Sequence, residues 1–238
     1  RGVGGEVGED FYQLIKALEA NIDVARFRIS SIEPNLLTNE LIEFVASSKK
    51  FMPHFHIPLQ SGSDKILKLM RRKYLSKLYR ERVEKIKEVM PHACIGVDVI
   101  VGFPGETHEQ FLETYNFINE LDVSYLHVFT YSERANTRAL NIQPVIPIPE
   151  RKERNKMLRI LSEKKKRKFY NEHVNTKREV LFEAENDNGI RYGFTDNYIK
   201  VGIPYEEEMW NTIQTIQLNT VSDFGYVKGT KHLELSIA

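Results

Sequence analysis

The spacing of apolar positions changes character along this chain. Up to about residue 150, short β-branched runs alternate with stretches whose apolar residues recur every three or four positions; beyond about residue 177 the spacing falls to two. Four runs predict strands: Ala25–Ser31, His54–Leu59, Ile95–Val101 and Ser124–Tyr131. The gaps between them leave room for one crossover helix each, with a further short helix in the middle gap. Phe11, Leu14, Ile15 and Leu18 form one helical face, and Leu75, Leu78, Tyr79, Val83 and Ile86 another. Thr107 and Gln110 precede Phe111, Tyr115 and Ile118 as a capping box, and Asp64 reads as a second N-cap. Strand–helix alternation of this kind builds a parallel sheet or barrel, with its chemistry at the carboxyl ends of the strands.

Pro144, Pro147 and Pro149 interrupt the pattern and predict a boundary. A basic helix follows from about Glu150 to Asn175, with Met157, Leu158 and Leu161 as its apolar stripe. The tail then reads as short antiparallel strands, Val180–Glu185, Tyr192–Phe194, Tyr198–Val201, Thr212–Val221 and Phe224–Val227, punctuated by Asn188-Gly189 and Gly225. Five short strands in about sixty residues suggest a small closed barrel of the kind that binds oligonucleotides. The expected organisation is therefore an α/β unit over residues 1–149, a basic linker helix over 150–176 and an all-β barrel over 177–238.

Charge changes this picture more than composition does. The formal net charge of +1 hides an uneven distribution. Residues 64–90 hold ten Lys/Arg against four Asp/Glu, residues 151–178 twelve against three, and residues 179–238 four against ten. Two basic helices thus face an acidic tail. No apolar run reaches the roughly 20 residues that cross a bilayer, so no membrane partner is expected, and the single cysteine fits a reducing, cytoplasmic setting. The single cysteine, Cys94, excludes an internal disulfide and a self-contained iron–sulfur site, which draws three or four thiolates from the chain. At the start of a strand it reads as a small buried hydrophobe. His54 and His56 share a strand face, yet without a third ligand nearby in sequence they read as packing or polar contacts, as does His127.

Polar groups cluster after each predicted strand: Ser30-Ser31-Ile32-Glu33-Pro34, then Gln60-Ser61-Gly62-Ser63-Asp64, Gly102-Phe103-Pro104-Gly105-Glu106-Thr107, and Tyr131-Ser132-Glu133-Arg134. Each alone could be a turn or a cap; four on consecutive strands point to a ligand site. Ser31, Glu33, Gln60 and Ser61 can hydrogen-bond hydroxyls or an ammonium group, and Gly62, Gly102 and Gly105 allow close backbone approach or unusual turns.

These segments, with His54-Phe55-His56-Ile57-Pro58-Leu59 before the second and Met70-Arg71-Arg72-Lys73-Tyr74 after it, resemble the methylthiotransferase branch of the radical-SAM superfamily. Val180-Leu181-Phe182-Glu183 and Gly193-Phe194-Thr195-Asp196-Asn197-Tyr198-Ile199 resemble its terminal TRAM domain. The resemblance implies a partial (β/α) barrel of six strands, of which four are visible here, followed by a TRAM barrel. On that basis Gly2-Val3-Gly4-Gly5 would be the turn after the second strand, and the three-cysteine loop of the SAM-binding cluster would lie outside this sequence.

By the same resemblance the activity is conversion of a modified adenosine beside a tRNA anticodon to its 2-methylthio form. The cofactors implied are S-adenosyl-L-methionine and two 4Fe–4S clusters in the full-length enzyme, with none expected on this stretch alone, which is then inactive by itself. Ser31, Glu33, Gln60 and Ser61 would hold the polar parts of S-adenosyl-L-methionine, with Ile100 and Gly102 against its adenine. Tyr131-Ser132-Glu133-Arg134-Ala135-Asn136-Thr137 favours the threonylcarbamoyladenosine branch, although Asn136-Thr137-Arg138 stands where relatives carry Gly-Thr-Pro. The partners implied are tRNA and an electron donor protein. Lys164, Lys165 and Lys168 are the expected RNA contacts, ahead of Lys200, Lys228 and Lys231 in the acidic tail. The strand Ala25–Ser31 is expected to present an edge prone to self-association. Two alternatives remain at this point: a ribosomal-protein aspartate methylthiotransferase, which the acidic tail favours, and an RNA-binding module alone.

Overall fold

Each of the four β-branched runs forms a strand in the computed structural model, which describes residues 11–21 and 23–231. Gly2–Gly5 lie outside the described residues. The order is α1 (Phe11–Asn21), β1 (Phe27–Ile29), α2 (Asn39–Ser47), β2 (Phe51–Gln60), α3 (Asp64–Leu69), α4 (Ser76–Val89), β3 (Cys94–Val101), α5 (His108–Glu120) and β4 (Tyr125–Thr130). The strands pair in sequence order, every pair parallel. Residues with period two divide the sheet into faces. Phe55, Ile57 and Leu59 of β2 and Ile95, Val97, Val99 and Val101 of β3 are fully buried in one core with Tyr79, Val83 and Ile86 of α4 and Phe111 and Ile118 of α5. Burial of each such side chain contributes roughly 1.5–3 kcal/mol. The opposite face carries Arg28, His54, His56, Asp98 and His127.

Local differences from the expected elements have physical causes. The first strand keeps only Phe27–Ile29, with a register irregularity between those two residues. Arg26 just before it and Arg28 within it reach to the tail, where Arg28 donates to Thr195 O at 2.8 Å. Ser63, not Asp64, occupies the N-cap of α3, and Asp64 Oδ1 accepts the N–H of Ser76 at 2.9 Å, so it caps the next helix. The Thr107–Gln110 capping box forms as expected.

The basic segment forms α6 (Ile148–Asn171), with Pro149 in its first turn, where a missing N–H costs nothing. Expected as a linker, this helix lies along the sheet: Leu158 and Leu161 enter the main core, and Ser162 Oγ both donates to Leu126 O and accepts from Leu126 N on β4. Its last turn leads elsewhere, because Phe169 and Tyr170 belong to the core of the tail. The tail strands β5 (Lys177–Asp187), β6 (Ile190–Thr195), β7 (Lys200–Pro204), β8 (Ile213–Val221) and β9 (Val227–Lys231) close into a barrel in the order β5-β6-β7-β9-β8. Of these, β7 and β9 start two and three residues later than expected. Tyr198 adopts φ +67° and so cannot begin β7, and Phe224, 89% exposed, stands in a turn completed by Gly225 at φ +78°.

The tail barrel docks on the amino-terminal ends of the sheet through the segment Gly193–Ile199. The Tyr198 ring lies 4.3 Å from His54 and 4.7 Å from both Phe194 and the Arg28 guanidinium. Fully buried Asn197 donates to His92 O at 2.9 Å, contacts His173 Nε2 at 3.0 Å and accepts from the Thr195 hydroxyl. Among the described residues, no helix is long and apolar enough to cross a membrane.

Candidate functional site

Two arginines of α6 hold the loops at the carboxyl ends of β3 and β4. Arg151 donates to Ile146 O at 2.7 Å, to Tyr131 O at 3.0 Å and to Glu133 Oε1 at 2.6 Å. That guanidinium holds the Glu133 carboxyl below the usual range. Arg154 pairs with Glu106 and Glu150 and also donates to Glu106 O at 3.1 Å. Glu106 is buried and accepts the Gly102 N–H at 2.7 Å. Burial still raises its carboxyl above the usual range, outweighing Gly102 and Arg154. These arginines were hidden in sequence among the solvated-looking cations of a basic helix. The clue available was a lone Glu106 inside an otherwise apolar turn.

The residues expected to hold S-adenosyl-L-methionine are placed unevenly. Ser31 is exposed beyond the end of β1, and Glu33 accepts an ion pair from Arg72 at 3.2 Å on a half-open rim. Gln60 ends β2 with φ +69° and is largely buried. Ile100 lines a cavity of about 590 Å³ together with Lys68, Arg71, Arg72, Phe103, Tyr131 and Arg138, among others. Ser61 points inward instead: it is fully buried, bonds Thr114 Oγ1 on α5 at 3.0 Å and accepts the Ser63 N–H, so its hydroxyl cannot reach a ligand. Gly102, at φ +73°, makes room for Arg151, whose Cγ a methyl group there would overlap. Gly62 likewise admits α5, since a Cβ would stand 2.8 Å from Thr114 Cα.

The polar sheet face holds a group not foreseen as a unit. His56 Nε2 lies 2.7 Å from Asp98 Oδ1, and the His56 and His127 rings are 5.2 Å apart. Parallel register places Asp98 opposite His127, information that exists only once strands are paired. Below them His54 bonds the Tyr125 hydroxyl at 3.0 Å, and its imidazole is driven down to about 3, chiefly by burial and then by Arg28. Cys94, also buried, has its thiol pushed up to about 12 by burial. A protonated thiol enclosed at the base of the sheet does not fit an iron–sulfur cluster, and no group of three His, Cys, Asp or Glu among the described residues could hold a metal.

Of the lysines on α6, Lys164 is exposed and Lys168 is exposed with a 3.5 Å pair to Glu172. Arg167 is exposed beside them. Lys165 differs from expectation: its ammonium donates to Asn119 O at 3.1 Å and Leu121 O at 2.7 Å, where it caps the end of α5. Burial lowers it to about 8, and both of its hydrogen bonds go to the end of α5.

Residues 3–118 match the profile of the radical SAM superfamily. The threonylcarbamoyladenosine tRNA methylthiotransferase MtaB of Bacillus subtilis is 39% identical over 224 residues, 90% of this chain and 50% of that protein. Its namesake from Aquifex aeolicus is 38% identical over 83% of this chain and 47% of its own length. A tRNA-2-methylthio-N(6)-dimethylallyladenosine synthase from Symbiobacterium thermophilum is 34% identical over 91% and 47%. The chain thus spans about half the length of the curated relatives it matches. Among solved structures, coproporphyrinogen III oxidase (HemN) from Escherichia coli superimposes with a TM-score of 0.53 at 19% identity, covering 66% of this chain and 36% of that one, which supports the radical SAM fold of the sheet.

Proposed function

The chain belongs to the radical SAM superfamily, and from that premise we propose that it serves 2-methylthiolation of threonylcarbamoyladenosine beside a tRNA anticodon. One observation carries the reading. The identity with the Bacillus subtilis methylthiotransferase runs over 224 residues, so it embraces both the sheet with its strand-end loops and the tail barrel. Each relative named above carries tRNA in its name, which favours a tRNA enzyme over a ribosomal-protein methylthiotransferase or a binding module alone.

In this reading S-adenosyl-L-methionine, when bound with its iron–sulfur cluster, supplies the radical and the methyl group; the cluster ligands are not residues of this sequence. This chain's own residues then position and enclose. Ser31, Glu33 and Gln60 present hydrogen-bonding groups at the strand ends, and Ile100 offers an apolar wall. Arg151 and Arg154 lock the loops that carry Phe103 and Tyr131. On α6, Lys164 and Lys168, joined by Arg167, supply long-range attraction to phosphate. The setting is cytoplasmic. An electron donor protein and self-association through the edge of β1 belong to the same proposal.

The test is mass spectrometry of nucleosides from the tRNA of cells lacking the protein. Loss of the 2-methylthio form with accumulation of unmodified threonylcarbamoyladenosine, reversed on restoring the gene, supports the reading. An unchanged tRNA profile overturns it.

A further inference from the structure

We infer that the cavity walled by Lys68, Arg71, Arg72 and Arg138 is a phosphate seat for single-stranded RNA, with Phe103 and Tyr131 receiving a base. This deepens the tRNA reading and rests on it.

The argument begins with charge. The cavity encloses about 590 Å³ and has four cationic side chains but no carboxylate in its wall. Lys68, Arg71 and Arg138 form no ion pair among the described residues, and Arg72 has only the rim contact to Glu33 at 3.2 Å. Cations gathered this way repel one another, and a polyanion relieves the repulsion. S-adenosyl-L-methionine, placed above against Ile100 of this same cavity, carries a net positive charge, so the four cations are left for a second, anionic ligand.

Backbone geometry gives an independent sign. Arg71 sits just past the end of α3 at φ +57°, where its N–H bonds Lys68 O at 3.0 Å. Glycine or asparagine suits this left-handed position best, and an arginine tolerates strain there. Among the described residues the Arg71 guanidinium has no ion pair or hydrogen bond, so it is left for a ligand. Beside the cations, Phe103 and Tyr131 meet edge to face at 5.4 Å and 77°. A cationic track beside an aromatic pair is the chemistry of single-stranded nucleic acid: phosphates on one side, a base on the other. The cavity opens at the carboxyl ends of β3 and β4, so a strand seated here delivers its neighbouring nucleotide to the candidate site.

The test is fluorescence anisotropy of the chain with an anticodon stem–loop RNA and with a fully paired RNA of equal length, over a range of salt. The variants are Arg71→Gly, Arg138→Ala, their combination, and Lys164→Glu/Lys168→Glu as an independent arm. Arg71→Gly suits φ +57°, so weakened binding by it cannot be ascribed to misfolding. The cavity variants should weaken stem–loop binding several-fold each and lower the salt slope by about 0.7 per lost single-strand phosphate contact. They should leave the paired RNA unaffected, whereas the α6 variants should weaken both. If the combined cavity variant binds the stem–loop as the parent does while the α6 variant does not, the cavity assignment is wrong and the tRNA reading stands. Competition by oligoglutamate as effective as by the stem–loop would replace RNA with an acidic peptide and overturn the inference. If the parent chain binds neither RNA, the inference falls, and the tRNA reading is decided by the nucleoside profile.

Discussion

Replacing Arg154 by Met should expose what the buried ion pair at the head of α6 contributes. Arg154 and Glu106 are 3% and 1% exposed in their side chains, so neither charge has water to fall back on. Methionine keeps the apolar stem and its contact with Phe111, over whose ring the guanidinium lies at 5.5 Å. What changes is that Glu106 retains only the Gly102 N–H, while its Oε1 already has no hydrogen-bond partner. Breaking a buried pair from one side typically costs about 3–5 kcal/mol. The surviving backbone hydrogen bond places this case at the lower end, about 3 kcal/mol.

The deficit should depend on pH with a definite sign. Glu106 is raised above its unfolded value by burial even with Arg154 present, and removal of the cation raises it further. Above the unfolded carboxylate range the folded variant then binds more protons than the unfolded chain, so its stability falls as pH rises and recovers on acidification by up to about 1.4 kcal/mol per unit. Urea unfolding followed by circular dichroism at pH 7.5 and 5.5 measures this, given an unchanged dependence on denaturant. Adding Glu106→Gln should restore about 1–3 kcal/mol through the coupling between the two sites. A loss below about 1 kcal/mol, or one equal at both pH values, would refute the reasoning.

Three further outcomes follow from the same physics. The His54 imidazole, held down to about 3, stays neutral in the fold while the unfolded chain takes up a proton below about 6.5. Stability should therefore drop by about 1.4 kcal/mol per unit as pH falls from 6.5 to 5, and His54→Phe should flatten that slope; parallel curves for parent and variant would count against it. Gly102→Ala, which meets both φ +73° and Arg151, should lower the melting temperature markedly more than Gly189→Ala, where φ is +76° but nothing lies within 4 Å. Equal shifts would mean that Arg151 yields freely. Cys94, with its thiol pushed up to about 12, should resist a thiol reagent at pH 8 in the folded chain and react fully in urea; prompt labelling of the native protein would show the base of the sheet to be open.

The strands and the major helices were legible because period and β-branching are local properties. The four-stranded sheet and the tail barrel could be read from Ala25 to Val227 with boundary errors of a few residues, some of them where a side chain is recruited elsewhere. Arg26 lies outside the shortened β1 and bonds the tail at Glu179, and Tyr198 takes φ +67° and packs its ring against His54. The direction of polar residues was not legible. Ser61 and Ile100 both look like rim residues in sequence, yet one faces α5 and the other a cavity. The lysines of α6 show the same limit: Lys164 and Lys165 are neighbours of identical chemistry, separated in role by the 100° turn between them. Asp98 and His56 are 42 residues apart and meet only through register.

The long helix is also a measure of length. Over its 24 residues α6 rises about 36 Å, with Arg151 and Arg154 gripping the strand-end loops at one end and Phe169 and Tyr170 seated in the tail barrel at the other. Because both grips are specific to one helical phase, removing a single residue between them would rotate the second by about 100° against the first. Length changes should therefore be tolerated in the β5–β6 turn at Asn188-Gly189 and rejected inside α6, so that the interval between the two ends is held to within one step of the helix.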